Sequence, residues 1–121
     1  VEFSSEAIRA ARRSAVELRA SCNGAPPGRI DFLTGNASTA SGAAGDPDVV
    51  VVNPPRRGIG ADLAEALEVS LVPRVLYSSC NVESLARDIA RMPSLRPVRA
   101  QLFDMFPQTT HHEVLVLLER Q

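Results

Sequence analysis

Short apolar runs along the chain predict a series of β-strands. The clearest is Asp48–Val52, an unbroken run typical of a parallel strand that is buried on both faces. It ends at Asn53-Pro54-Pro55, because proline cannot continue a ladder of backbone hydrogen bonds. Other apolar and alternating runs predict strands at residues 1–3, 29–34, 74–77, 98–103 and 114–118.

Apolar residues recur at helical spacing between these strands. Ile8 and Leu18 mark the inner face of an amphipathic helix over residues 6–20, whose arginines lie on the opposite side. The same period predicts a second helix over residues 62–71 with Leu71 on its inner face, and a third over residues 81–92. Strands and helices therefore alternate, and two adjacent strands follow the last helix. This order predicts an α/β fold: a doubly wound sheet that ends in an antiparallel hairpin.

Size and composition narrow the class of protein. At 121 residues the chain is at most one domain, and its net charge of −1 predicts no broad basic face. Its two cysteines, Cys22 and Cys80, lie in unrelated contexts, which favours a reducing cytoplasm over a disulfide framework. No apolar run is long enough to span a membrane. The chain opens at Val1, without methionine and within a predicted strand, so we expect a fragment of a longer protein.

Cys80 lies where a predicted strand gives way to a predicted helix. The start of a helix offers unpaired N–H groups and a partial positive charge, and both favour a thiolate. Asn81 is a suitable N-cap for this helix, whereas Glu83 in its first turn opposes a thiolate. Taken alone, a single cysteine at this position is more often a small, inert core residue.

Four polar groups are expected at the carboxyl edge of the sheet, where open α/β folds bind ligands. Glu2 lies at the end of the strand predicted at residues 1–3 and is either a helix N-cap or a ribose ligand. Asn36 follows the second strand and, alone, is a turn residue. Asn53 follows the third strand on a rigid turn that suits holding a planar group, and Cys80 follows the fourth.

Several sequence blocks, in this order and spacing, closely resemble the RNA 5-methyluridine methyltransferase family. The blocks are Asn53–Gly58, Ser79–Asn81, Leu85–Asp88, Asp104–Thr109 and His111–Glu113. The resemblance runs across essentially the whole chain and implies a Rossmann-like class I methyltransferase fold, S-adenosyl-L-methionine as cofactor, and tRNA or rRNA as partner. It also implies that the first strand and its glycine-rich loop precede Val1. Residues 1–121 would then be the C-terminal portion of one catalytic domain.

The resemblance implies two catalytic residues. Carbon 5 of uridine is too weak a nucleophile to accept a methyl group unaided, and a thiolate that adds to carbon 6 activates it. By similarity Cys80 is that nucleophile. The proton on carbon 5 must then leave, and by similarity Glu113 is the base that removes it. On its own, Glu113 would be interpreted as a surface carboxylate before a strand.

The resemblance also implies cofactor contacts. Glu2 matches the residue that binds the ribose hydroxyls, Phe3 would lie near the adenine, and Asn36 matches a position on the adenine side. Asn53 stands near the cofactor's amino-acid end, where the family usually has aspartate. Because this departure removes a negative charge facing the cofactor's ammonium, we expect weaker cofactor binding.

Pro54, Arg56 and Gln108 fall in blocks whose resemblance implies contact with the substrate RNA. For Arg56, a contact with phosphate and a solvated turn are equally good interpretations. His111 and His112 have no further ligands at metal spacing, so no metal site is expected.

Two alternative functions stay open. An Asn-Pro-Pro turn at this position also occurs in amino-methyltransferases, which need neither Cys80 nor Glu113 but usually have an aromatic residue where Arg56 stands. Alternatively, the chain is an inert methyltransferase fragment, an interpretation motivated by Asn53 and by the glycine-rich loop expected upstream.

Overall fold

A computed structural model of the chain describes residues 1–2, 4–21, 28, 30–37, 47–105, 107–109 and 111–121. The chain divides into two compact units, Val1–Ala43 and Ala44–Gln121. Each unit is described by itself below.

The N-terminal unit contains the predicted amphipathic helix, α1, which spans Ser5–Ser21. The Oγ of Ser4 accepts a hydrogen bond from the N–H of Ala7 (3.1 Å) and thereby caps the helix. Ile8 is buried as predicted, but Leu18 is 53% exposed, so the prediction that Leu18 faces inward is wrong. Only the first part of the predicted apolar face packs.

Residues of the two strands predicted at 1–3 and 29–34 meet at a single parallel bridge between Glu2 and Thr34. The N–H of Glu2 donates to the carbonyl of Leu33, and the N–H of Gly35 donates to the carbonyl of Glu2, both at 3.0 Å. The parallel direction suits the predicted fold, but the described residues of these segments do not extend the bridge into longer strands.

The C-terminal unit is built on a mixed four-stranded sheet. Its strands are β1 (Val50–Val52), β2 (Arg74–Ser79), β3 (Leu95–Phe103) and β4 (Glu113–Arg120). Their spatial order is β1-β2-β4-β3. β1 and β2 are parallel, whereas β4 is antiparallel to both of its neighbours. The predicted α/β sheet with an antiparallel C-terminal hairpin is therefore confirmed, and β4 lies between β2 and β3.

Two helices, α2 (Gly60–Val69) and α3 (Val82–Ile89), connect the strands of this unit. Apolar side chains from both helices and from the sheet form one core, which comprises Ala64, Leu67, Val72, Val75, Tyr77, Leu85, Met92, Leu95, Val116 and Leu118. α2 ends earlier than predicted because Ser70 is extended and its hydroxyl bonds the carbonyl of Leu67 (2.7 Å). Leu71 then lies beyond the helix and is 76% exposed, so its predicted inner position is wrong.

β1 is buried on one face only. Val50 and Val52 pack against the core, whereas Val51 is 67% exposed. The prediction that this run is buried on both faces is therefore wrong for the structure described here. The core lies on the face of the sheet that carries Val50 and Val52, and the side chain of Val51 points to the opposite face.

Arg120 joins the end of β4 to the end of α2. Its guanidinium donates to the carbonyls of Val72 (3.0 Å), Glu68 (3.1 Å) and Leu67 (2.8 Å). The last carbonyls of a helix have no partners within the helix, and a cation also suits the negative end of the helix dipole. One side chain therefore gives charged donors to three carbonyls, of which that of Leu67 also accepts from the hydroxyl of Ser70.

We expect Arg120→Met to lower the free energy of unfolding of the protein by about 2–3 kcal/mol, because it leaves these carbonyls without charged donors. The matched control is Arg74→Met, which removes an exposed ion pair with Glu119 at 3.3 Å and should cost less than about 1 kcal/mol. Urea-induced unfolding of both variants measures the difference. Equal losses would contradict the capping role of Arg120.

Candidate active site

Three of the predicted site residues meet at one edge of the C-terminal unit's sheet. Asn53 directly follows β1, Cys80 directly follows β2, and Glu113 is the first residue of β4. The parallel direction of β1 and β2 and the antiparallel direction of β4 bring these three positions to the same edge. The last pair of the β2–β4 register is Ser79 with Val114. Extending that register by one step would place Cys80 opposite Glu113.

The turn that carries Cys80 is fixed by hydrogen bonds on either side of it. The Oγ of Ser79 lies 3.1 Å from the backbone nitrogen of Asn81 and 2.9 Å from its carbonyl oxygen. The Oδ1 of Asn81 accepts from the N–H groups of Glu83 (2.9 Å) and Ser84 (3.3 Å), which confirms the predicted N-cap of α3. Cys80 itself is a half-buried free thiol, positioned between a strand end and a helix start.

The carboxylate of Glu113 is held by a side chain of β2. The hydroxyl of Ser78 donates a hydrogen bond to Oε1 of Glu113. Side chains alternate between the two faces of a strand, and on β2 Val75, Tyr77 and Ser79 are buried, whereas Ser78 is half-buried. Cys80 follows Ser78 by two residues, so the alternation assigns it to the same face. Glu113 is therefore held on the face of β2 that leads to the cysteine.

The segment Asn53–Gly58 is anchored to α3 near its carboxyl end. The N–H of Gly58 donates to the carbonyl of Pro55 (2.9 Å), which closes a tight turn. The guanidinium of Arg87 donates to the carbonyl of Arg57 (3.0 Å). Within this turn Asn53, Arg56 and Arg57 are exposed and Pro54 is half-buried. The backbone is thus held in place while the polar side chains face outward.

Asp88 anchors the same segment from within the core. It is fully buried, and its Oδ2 accepts from the hydroxyl of Tyr77 (2.7 Å) and from the N–H of Ile59 (2.8 Å). Its Oδ1 lies 3.2 Å from the guanidinium of Arg91. Burial, together with the hydrogen bond to Asp88, raises the pKa of Tyr77 above its ordinary value. Tyr77 is therefore protonated at neutral pH and acts as a donor.

The predicted cofactor residues fall in both units. In the N-terminal unit, Oε1 of Glu2 accepts a hydrogen bond from the N–H of Ser4 (2.9 Å), and the bridge between Glu2 and Thr34 brings Asn36 to the same end of the two segments. Phe3 lies outside the described residues. Asn53 belongs to the C-terminal unit. The cofactor roles of these residues stay predictions.

Gln108 lies in an exposed turn with a φ of 70°, a left-handed conformation uncommon for residues other than glycine. Its role toward RNA stays a prediction. No group of three or more potential metal ligands occurs among the residues that the structure describes. Among those same residues, no helix is both long and apolar enough to cross a membrane.

Ser78 and Asp88 had no assigned role in the sequence analysis, although one signal was available for each. Asp88 lies three residues after Leu85 and four before Met92, on the buried face of α3, where a charge requires partners. Ser78 has the same parity along β2 as Cys80. Its partner Glu113 is 35 residues away in sequence, so no local pattern indicates the contact.

We expect Gly58→Ala to lower the free energy of unfolding by about 3–5 kcal/mol, the usual range for disrupting a buried charged network. A Cβ at this position would lie 2.1 Å from Oδ2 of Asp88, and Gly58 has a φ of +89°. The control is Gly60→Ala, whose φ is +79° but whose Cβ meets nothing within 4 Å. It should cost only about 1–2 kcal/mol for the left-handed backbone. Thermal unfolding measures both, and equal losses would show that Asp88 tolerates displacement.

Comparisons with known proteins indicate the family to which the chain is similar. The family model of tRNA (uracil-5-)-methyltransferases matches residues 43–121. The chain is 45% identical, over 122 residues, to the 23S rRNA (uracil(747)-C(5))-methyltransferase RlmC of Pectobacterium carotovorum. It is 46% identical, over 123 residues, to the protein of that name in Escherichia coli K12. Each match covers 100% of this chain and 31% of the relative.

Comparison with a solved structure indicates the same family. The tRNA (uracil-54, C5)-methyltransferase of Pyrococcus abyssi, in complex with S-adenosyl-L-homocysteine, superimposes with a TM-score of 0.79 at 30% identity, over 98% of this chain and 28% of that one. The chain thus spans less than a third of the relatives it matches. S-adenosyl-L-methionine is the methyl donor of this family. The chain belongs to the tRNA (uracil-5-)-methyltransferase family.

Proposed function

We propose that this chain carries the catalytic cysteine and base of a protein that methylates carbon 5 of a uridine in tRNA or rRNA. The observation that carries the proposal is the arrangement of Cys80 and Glu113 at one sheet edge, on adjoining strands. The named relatives act on a uracil of 23S rRNA or of tRNA, which supports the reaction and the substrate class. Such a substrate assigns the reaction to the cytoplasm.

Cys80 opens the reaction. Its thiolate adds to carbon 6 of the uracil ring, a sulfur–carbon bond forms, and the electron pair of the ring double bond moves toward carbon 5 and oxygen 4. S-adenosyl-L-methionine, when bound, supplies an electrophilic methyl group on a sulfonium. Carbon 5 takes that methyl group as the sulfur–methyl bond breaks, and the electron pair of that bond stays on the departing S-adenosyl-L-homocysteine. The half-buried thiol lies at the sheet edge, directly after β2 and two residues before α3.

Glu113 closes the reaction. Its carboxylate takes the proton from carbon 5, and the freed electron pair restores the double bond between carbons 5 and 6. The bond from carbon 6 to sulfur breaks, and Cys80 leaves as a thiolate. Both residues must therefore reach one ring, and their positions at adjacent places in the β2–β4 register support that requirement.

The cofactor is assigned to Glu2, Phe3, Asn36 and Asn53. The exposed amide of Asn53 at the sheet edge suits the cofactor's amino-acid end. Within the N-terminal unit, the bridge that brings Glu2 and Asn36 to one end suits contacts with a single nucleoside. Taken separately, the described residues of each unit have polar groups that suit the part of the cofactor proposed for them.

The substrate RNA is assigned to Pro54, Arg56 and Gln108. Arg56 is exposed on the turn after β1, where its guanidinium can pair with a phosphate in a bidentate manner. Gln108 is exposed on the turn that precedes β4. Both side chains therefore project from segments adjoining the edge that carries Cys80.

We expect the full-length protein to form a covalent adduct when incubated with S-adenosyl-L-methionine and RNA that contains 5-fluorouridine. Fluorine cannot leave as a proton does, so the bond from Cys80 to carbon 6 should persist and survive a denaturing gel. Cys80→Ala should abolish both the adduct and methyl transfer to ordinary RNA. Methyl transfer that survives Cys80→Ala would favour an amino-methyltransferase, and no transfer by the unaltered protein would favour an inert chain.

We expect Asn53→Asp to tighten the binding of S-adenosyl-L-methionine by about fivefold, which corresponds to about 1 kcal/mol for a partly exposed ion pair. The physical reason is the restored negative charge facing the cofactor's ammonium. Calorimetry of the full-length protein measures the affinity. The control is Gln121→Glu, which adds the same charge at an exposed position beyond the opposite end of β4 and should leave the affinity unchanged. An equal affinity in Asn53→Asp and the unaltered protein would place Asn53 away from the ammonium.

A further inference from the structure

We propose that Ser78 is a positioning residue for Glu113, and this inference rests on the proposed function of Glu113 as the base. The hydroxyl of Ser78 donates to Oε1 of Glu113 across the pair of strands β2 and β4. Both side chains are half-buried, so water competes less for this bond than at an exposed site. The bond fixes one carboxylate oxygen and leaves the other to accept the proton.

The register of the strands explains how the two side chains meet. Ser78 stands opposite Leu115, and Glu113 precedes Leu115 by two residues on the same face of β4. Ser78 and Glu113 are thus a diagonal cross-strand pair, a distance that the long glutamate side chain spans. Extending the register by one step beyond Ser79 and Val114 would place Cys80 opposite Glu113. The serine therefore holds the base against the strand that ends at the nucleophile.

A glutamate needs such a partner to act on a carbon-bound proton. Its side chain has several rotatable bonds, and the entropy lost by ordering them during the reaction would raise the activation free energy. A hydrogen bond formed beforehand supplies that order. Ser79 cannot replace Ser78, because its side chain is buried on the opposite face of β2 and bonds the backbone of Asn81.

The proposed reaction separates the two roles in time. Addition of Cys80 to carbon 6 and transfer of the methyl group precede any action of Glu113. Removal of the proton from carbon 5 comes afterwards and releases the sulfur. Loss of the Ser78 hydroxyl should therefore slow only the later step, and the methylated adduct between Cys80 and RNA should accumulate on ordinary uridine.

The experiment compares Ser78→Val with Ser78→Thr in the full-length protein. The two new side chains have nearly the same shape and suit a strand equally, but threonine has a hydroxyl where valine has a methyl group. With uridine RNA, we expect Ser78→Val to lose about tenfold in turnover, part of the 10²–10⁴-fold typical of general-base catalysis. We also expect it to accumulate an adduct that resists denaturation, whereas Ser78→Thr should retain most of the turnover. Ser78→Ala, a second variant without a hydroxyl, should behave as Ser78→Val does.

Measurements with 5-fluorouridine RNA and with a Glu113 variant distinguish a failure of this inference from a failure of the proposed function. With 5-fluorouridine RNA, where proton removal is impossible, all three Ser78 variants should form the adduct at the unaltered rate. A slower adduct in the valine and alanine variants would overturn the positioning role, because it would place Ser78 in the earlier step or in folding. Turnover in Ser78→Val equal to that in Ser78→Thr would overturn it as well.

The reference variant is Glu113→Gln, which should accumulate the adduct on uridine RNA more strongly than any Ser78 variant. If the adduct accumulates in Glu113→Gln but not in Ser78→Val, the proposed function is supported and the positioning role of Ser78 is wrong. Full turnover in Glu113→Gln would overturn the proposed base, and the inference would fall with it.

Discussion

The buried carboxylate of Asp88 is the constraint on which the arrangement of the sheet edge depends. A buried charge is costly unless it is paired and hydrogen-bonded, and Asp88 meets that requirement with donors from three separate segments. They are Tyr77 on β2, Ile59 before α2, and Arg91 after α3. A shift of any one segment would break one of these hydrogen bonds. The turn after β1 and the end of α3 are therefore fixed relative to β2, which is the strand that ends just before Cys80.

β2 serves two purposes because its side chains alternate. On its buried face, Tyr77 donates a hydrogen bond to Asp88, and Ser79 accepts one from the backbone of Asn81 in the turn that follows β2. On its other face, Ser78 contacts Glu113. The chemistry at this edge thus rests on a strand whose opposite face is committed to the core. Such a strand is a rigid base for groups that must act in sequence on one ring, and this rigidity favours accurate placement over adaptability.

Local sequence patterns were sufficient for the fold class, the strand-to-helix position of Cys80 and the N-cap at Asn81, because all three depend on residues close in sequence. They were insufficient where partners are distant. Whether Val51 is covered depends on what packs on its face of the sheet, and a β-branched run does not encode that. The position of β4 between β2 and β3, and hence the contact of Ser78 with Glu113, likewise arises from pairing across many residues. Leu71 was misplaced for a local reason, since Ser70 ends the helix first.

The interleaved order of the strands has a consequence for how the sheet assembles. β3 is synthesised before β4, yet β4 is the strand that lies between β3 and β2. A nascent chain that has emerged only as far as β3 therefore has a strand with no neighbour to pair with, and the exposed side of β2 is open as well. Both gaps close in one event when β4 inserts, and the same insertion delivers Glu113 to its partner. The step that completes the four-stranded sheet is thus also the step that brings Glu113 to Ser78.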